Sequence, residues 1–151
     1  MRVVVGADHR GYCLKDVIAA HLRSRGHEVL DVGTNDATSV DYPDIALAVG
    51  LAIRHGDAER GFVVCGSGVG AVVAANKLRG IRAAICHDTY SAHQGVEHDD
   101  MNVVCMGSRV VGEDLALEIA EAFLGAKFKD QERYQRRLAK VKKLEDGAES
   151  L

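Results

Sequence analysis

The sequence predicts a three-layer α/β/α sandwich built on a five-stranded parallel sheet, with a helical arm at the C-terminus. Three observations carry this. Short β-branched runs alternate five times with longer segments of helical apolar spacing, which implies parallel strands joined by right-handed crossovers. Glycines and polar turn residues punctuate the junctions. The 151 residues, 47% hydrophobic and 27% charged, suit one ordinary globular domain, with residues 1–125 as the α/β core and 126–151 as the arm.

Each element follows from its residues. RVVVGA (2–7) reads as the first strand. From about Tyr12 to Arg25, Leu14, Val17, Ile18 and Leu22 recur at helical spacing. Gly26 ends that helix, and EVLDVG (28–33) is the second strand. TNDATSVDYPD (34–44) is a polar loop whose Pro43 suits the first turn of the next helix, carried by IALAVGLAIRHG. GFVVC (61–65) is the third strand, GAVVAANKLRG (70–80) is helical, and RAAIC (82–86) is the fourth strand. TYSAHQGVEH (89–98) reads as a short helix, VVCMG (103–107) as the fifth strand and EDLALEIAEAFLG (113–125) as an amphipathic helix. Beyond Gly125, KFKDQERYQRRLAKVKKLEDG is basic, helical and poor in apolar residues, a segment expected to reach away from the body towards a partner. The whole is a Rossmann-like arrangement.

Composition excludes several classes. A formal net charge of −3 argues against nucleic acid as the main partner. The longest apolar run, IALAVGLAI at 45–53, is far short of the roughly 18–20 residues that span a bilayer, so no membrane is expected. No signal-length apolar core opens the chain, and the expected compartment is the cytoplasm. The four cysteines at 13, 65, 86 and 105 form no CxxC pair and read as free thiols, buried as small hydrophobes by default.

In open parallel sheets, ligands bind outside the carboxyl ends of the strands. Ala7-Asp8-His9-Arg10-Gly11 follows the first strand and Cys65-Gly66-Ser67-Gly68-Val69-Gly70 the third. Cys86-His87-Asp88 follows the fourth and Gly107-Ser108-Arg109 the fifth. Polar and reactive residues therefore converge on one edge. The loop at 66–70 is GxGxG after a third strand, whereas the dinucleotide fingerprint is GxGxxG after a first. GADHRG lacks the Lys-Ser/Thr of a phosphate loop. His87, Asp88, His93, His98, Asp99 and Asp100 are dense, but no HxxxH or HExxH spacing marks a metal site, and none is expected.

A glycine-rich turn entering a helix turns successive N–H groups towards one point, an anion nest whose field favours the thiolate of a nearby cysteine. A thiolate beside such donors suits acyl transfer or removal of a proton next to a carbonyl. With His9 or His98 as a partner, cysteine acyl chemistry stays open on these residues alone. Cys13 sits within a helix pattern, and Cys86 and Cys105 end apolar strands, so these three read as structural.

GADHRGY, DYPD, CGSGVGAVVAANKLRGIRAA, EHDDMNVVCMGSRVVG and the final RYQRRLAKV, in this order, resemble the ribose-5-phosphate isomerase B family across nearly the whole chain. That family includes allose-6-phosphate isomerases and galactose-6-phosphate isomerase subunits. The resemblance implies interconversion of ribose 5-phosphate and ribulose 5-phosphate through an enediolate. Alternatives are isomerisation of allose 6-phosphate, galactose 6-phosphate or a tetrose phosphate, or a non-catalytic nucleotide- or sugar-phosphate-binding module.

The resemblance places Cys65 at the family's catalytic base and Ser67 where proton movement on the sugar oxygens is assisted. Backbone N–H groups from Gly66 through Gly68 to Gly70 would meet the enediolate, Asp8 and His98 are linked to ring opening, and Tyr42 lines the sugar pocket. His9, Arg109, Arg133 and Arg137 look like the phosphate clamp. Arg133 and Arg137, four apart, also share a helix face by spacing alone. No cofactor is implied. The partner implied is a second copy of the chain, in a homodimer whose subunits share each active site, with assembly into tetramers left open. Two positions depart from the family pattern. Asp99 stands where the family has asparagine on the reacting oxygens, and Asp130-Gln131-Glu132-Arg133-Tyr134 replaces GlyGlyArgHis before the arm.

Overall fold

The computed structural model describes residues 1–150. In chain order the elements are β1 (Arg2–Ala7), α1 (Tyr12–Ser24), β2 (Glu28–Asp31), α2 (Tyr42–Arg54), β3 (Arg60–Cys65), α3 (Val69–Ala75), β4 (Ala83–Ile85), α4 (Thr89–Asp99), β5 (Val103–Gly107), α5 (Glu113–Gly125) and α6 (Glu132–Glu145). Every strand pair is parallel and the sheet order is β2-β1-β3-β5-β4. The expected α/β/α architecture is the one observed. From β1 the chain steps one way to β2 and then back past β1 to β3, so the crevice between the ends of β1 and β3 is the switch point.

The period of two along each strand sends alternate side chains to opposite faces, and both faces are apolar because helices cover both. Val3, Val5, Phe62, Val64, Val104 and Met106 meet Ile18 and Leu22 of α1, Val96 of α4, and Ile119 and Phe123 of α5. Val4, Val63, Cys65, Val103 and Cys105 meet Ile45 and Val49 of α2 and Ala71 and Ala75 of α3. Phe62 and Phe123 form an edge-to-face pair with centroids 5.3 Å apart, joining α5 to the central strand.

One buried cation holds the loop that leads into the site. Lys15, fully buried on α1, donates to Asp31 Oδ2 at 2.6 Å and to Asn35 Oδ1 at 2.8 Å. Asp31 Oδ1 in turn accepts from Gly33 N at 2.9 Å. Main-chain bonds between Ala7 and residues 33–34 tie the same loop to the end of β1.

Three features differ from the sequence expectation. The helix expected over 70–80 ends at Ala75. Asn76 there bonds both N and O of Ala83 through its side chain, imitating a strand neighbour, and Gly80 turns the chain with φ of +80°. Cys13 is exposed, because α1 turns that position away from the sheet. The arm does not reach away from the body. Tyr134 is buried, Arg79 pairs with Asp146, and Gly80 N donates to Glu145 Oε1 at 2.6 Å, so α6 folds back over α4 and the turn after α3. One buried aromatic and two end contacts outweigh an otherwise polar surface. Among the described residues, no helix is long and apolar enough to cross a membrane.

Candidate active site

β3 ends at Cys65, 5% exposed at the mouth of the switch-point crevice. Gly68 takes φ of +82°, a conformation that glycine adopts without strain, and its N–H points back to Cys65 Sγ at 3.1 Å. The exposed Ser67 accepts from Val69 N at 3.3 Å through Oγ. The loop is stitched to the end of β5: Ser108 N donates to Cys65 O at 2.8 Å and Arg109 N to Gly66 O at 3.2 Å. A Cβ on Gly107 would lie 2.7 Å from the Ser67 carbonyl carbon, so glycine is what permits this approach. His87 Nε2 accepts from Gly107 N at 3.0 Å and steadies the same junction.

The other wall comes from the end of β1 and the start of α2. Asp8, 6% exposed, accepts from Arg10 N at 2.8 Å and Gly11 N at 3.1 Å through Oδ1, which fixes the turn. His9 Nδ1 accepts from Val40 N at 3.3 Å, so a neutral ring carries its proton on Nε2. Tyr42 lays its ring on Gly70, where a Cβ would stand 2.7 Å from the ring. Asp8, Arg10, Tyr42, Cys65, Ser67 and Arg109 line a cleft of about 410 Å³. The sequence places Arg10 and His87 among the residues converging at the strand ends but assigns neither a role; the bond of His87 to Gly107 depends on strand pairing, which no local pattern shows.

His98, Asp99 and Arg133 stand elsewhere. Cys65 and Gly107 are register partners at the carboxyl ends of β3 and β5, while α4 ends at Asp99 just before β5 begins at Val103. A crossover helix returns to the opposite edge of the sheet, so the length of β5, roughly 13 Å at about 3.3 Å per step, separates His98 and Asp99 from the Cys65 edge. Arg133 Nη2 donates to the Tyr134 hydroxyl, itself 2.9 Å from His98 Nε2, so the start of α6 joins His98, and Arg137 follows one turn on. The chain thus presents two separate groups: Asp8, His9, Tyr42, Cys65, Ser67 and Arg109 at one edge, and His98, Asp99, Arg133 and Arg137 at the other.

The remaining cysteines differ from Cys65 in setting. Burial, then the Asp88 charge, pushes the Cys86 thiol up to about 11, and burial followed by Cys65 pushes Cys105 higher still. Both stay protonated at neutral pH and act as small apolar side chains. His87, Asp88, His93 and His98 take part in no metal-binding cluster of three or more ligands among the described residues.

A sulfur, a hydroxyl and two guanidinium groups around backbone donors at a switch point define an α/β enzyme for small anionic substrates. A family model described as Ribose/Galactose Isomerase matches residues 3–141, and the chain belongs to that family. It is an aldose–ketose isomerase of sugar phosphates. Ribose-5-phosphate isomerase B of Escherichia coli (strain K12) is 44% identical over 144 residues, covering 95% of this chain and 96% of that protein. D-erythrulose-4-phosphate isomerase of Pectobacterium atrosepticum is 41% identical over 130 residues, 85% of each chain. The solved Clostridium thermocellum ribose-5-phosphate isomerase B superposes with a TM-score of 0.94 at 46% identity, covering 97% of this chain and 98% of that one.

Proposed function

We propose that this isomerase interconverts ribose 5-phosphate and ribulose 5-phosphate, with Cys65 as the base. The observation that carries the reading is Cys65 Sγ at the mouth of the cleft, receiving Gly68 N–H, with Ser67 beside it. The thiolate takes the proton from C2 of the open-chain aldose. The electron pair moves into C1–C2 as the carbonyl oxygen becomes an enediolate oxygen, and the thiol returns the proton to C1. Ser67 moves the proton between the two sugar oxygens, and main-chain N–H groups of the Gly66–Gly70 loop meet the developing charge. The substrate's own carbonyl serves as electron sink, so the scheme calls on no cofactor.

The two separated residue groups support a shared site. Asp8, His9, Tyr42, Cys65, Ser67 and Arg109 of one copy would meet His98, Asp99, Arg133 and Arg137 of a second in a homodimer. Ring opening falls to Asp8 and His98, and the phosphate to His9 and the three arginines. The Pectobacterium relative favours a second reading, a tetrose phosphate substrate, and Asp99 bears on that choice because an ionised carboxylate accepts but cannot donate to sugar oxygens.

Replacing Cys65 by alanine tests the base. We expect ketose formation from ribose 5-phosphate to fall by about 10³-fold or more, with the circular dichroism spectrum and inorganic phosphate affinity retained. Turnover near that of the parent would sink the mechanism. Competing four-, five- and six-carbon aldose phosphates against one another decides the sugar.

A further inference from the structure

On a helix otherwise turned to solvent, Tyr134 is 3% exposed. Its ring stacks on His98, with centroids 4.3 Å apart and planes 15° from parallel. The guanidinium carbon of Arg133 lies 4.5 Å from the same ring's centroid. The Tyr134 hydroxyl stands 2.9 Å from His98 Nε2 and accepts a hydrogen bond from Arg133 Nη2 at 2.7 Å. On the far side of the imidazole, the side-chain nitrogen of Gln94 is 2.6 Å from His98 Nδ1.

We propose that Tyr134 is a positioning residue, whose hydroxyl and ring together hold His98 and Arg133 in one geometry before substrate arrives. This rests on the reading above, in which those two residues serve the sugar phosphate.

Donor and acceptor counting gives the mechanism. A guanidinium has only donors, so the phenol oxygen accepts from Arg133. The Gln94 amide nitrogen donates to Nδ1, so a neutral His98 carries its proton on Nε2 and gives it to the second lone pair of the phenol oxygen. The imidazole is held in one tautomer and one orientation. Arg133 is an exposed side chain that would otherwise sample many rotamers. Bonded at one end and lying over the Tyr134 ring, it has surrendered that freedom before binding, so less is lost when it meets a phosphate. An aliphatic side chain would fill the space and supply neither effect.

Tyr134→Phe keeps the ring and removes the hydroxyl, and Tyr134→Leu removes both. For the phenylalanine variant we expect a melting temperature near that of the parent and a loss in kcat/KM of about ten- to a hundredfold, the range for a hydrogen bond to a charged group. The loss should divide: KM and the Kd for inorganic phosphate rise as Arg133 loosens, and kcat falls as His98 Nε2 loses the partner that fixes the orientation of its ring. A phenylalanine variant that matches the parent in all of these, with only the leucine variant impaired, reduces Tyr134 to packing and overturns the proposal. Calorimetry of phosphate binding separates this from the substrate assignment. A parent inert on ribose 5-phosphate, with phosphate affinity that drops in Tyr134→Phe, refutes the sugar and sustains Tyr134; an active parent with an indifferent variant does the reverse. Nitrogen-15 NMR of the unmutated protein should show His98 protonated on Nε2 and bare at Nδ1. The opposite tautomer overturns the network even if neither variant folds.

Discussion

At the scale of single residues, the four cysteines show how setting decides chemistry. Cys86 lies just past β4 and Cys105 in the middle of β5, both fully buried, and burial keeps both as thiols at neutral pH. Cys65 is almost as buried by area, yet it stands where β3 opens into the cleft and accepts a backbone N–H. Cys13, read from its helix pattern as structural, is exposed. Alkylation in the native state should therefore label Cys13 and Cys65 and spare Cys86 and Cys105 until the protein unfolds. Labelling of Cys65, but not of Cys13, should track loss of activity, with inorganic phosphate slowing it; mass spectrometry against residual turnover checks both points. Modification of Cys105 in folded protein would contradict the account of its burial.

At the scale of elements, the ends of helices and strands position the chemistry. α4 begins with an aspartate cap: Asp88 Oδ1 accepts from Ser91 N at 2.7 Å, and that bond holds its carboxyl below the usual range. Its other end carries His98 and continues through Glu97 to the arm, since Lys129 Nζ lies 2.7 Å from Glu97 Oε2. α5 does no visible chemistry but clamps the central strands through Phe123. Phe123→Ala should cost about 3–5 kcal/mol, as for other buried aromatics, read as a lowered denaturation midpoint with the slope unchanged. A loss below about 1 kcal/mol would mean the sheet face closes over the cavity.

At the scale of the whole molecule, one sheet separates the two groups of candidate residues, and the proposed function has a second copy unite them. Mixing subunits tests this directly. Neither Cys65→Ala nor His98→Ala should be active alone. If each site takes Cys65 from one chain and His98 from the other, a mixed dimer holds one doubly impaired site and one intact site. Random exchange should then restore about a quarter of the parent activity, because half the dimers are mixed. No recovery after exchange, with mixed dimers shown by native mass spectrometry, would mean that each chain works alone.

The sequence determined the five strands, their parallel pairing and the edge where Asp8, Cys65 and Arg109 gather. Apolar period and glycine punctuation are local signals, and a parallel α/β chain must bring its strand-to-helix loops to one edge. It also carried the family through CGSGVG and AANK, each an unbroken run of residues. Tertiary structure decided what depends on distant partners. It shortened α3, because Asn76 pairs with Ala83, and laid the arm back on the body, because Tyr134 finds His98. It also set Cys65 and His98 at opposite edges, a separation that no spacing along the chain reveals because it is a property of crossover direction. Side chains bond across space, so residues 36 apart in sequence, such as His98 and Tyr134, become one unit only after the sheet and its helices are in place.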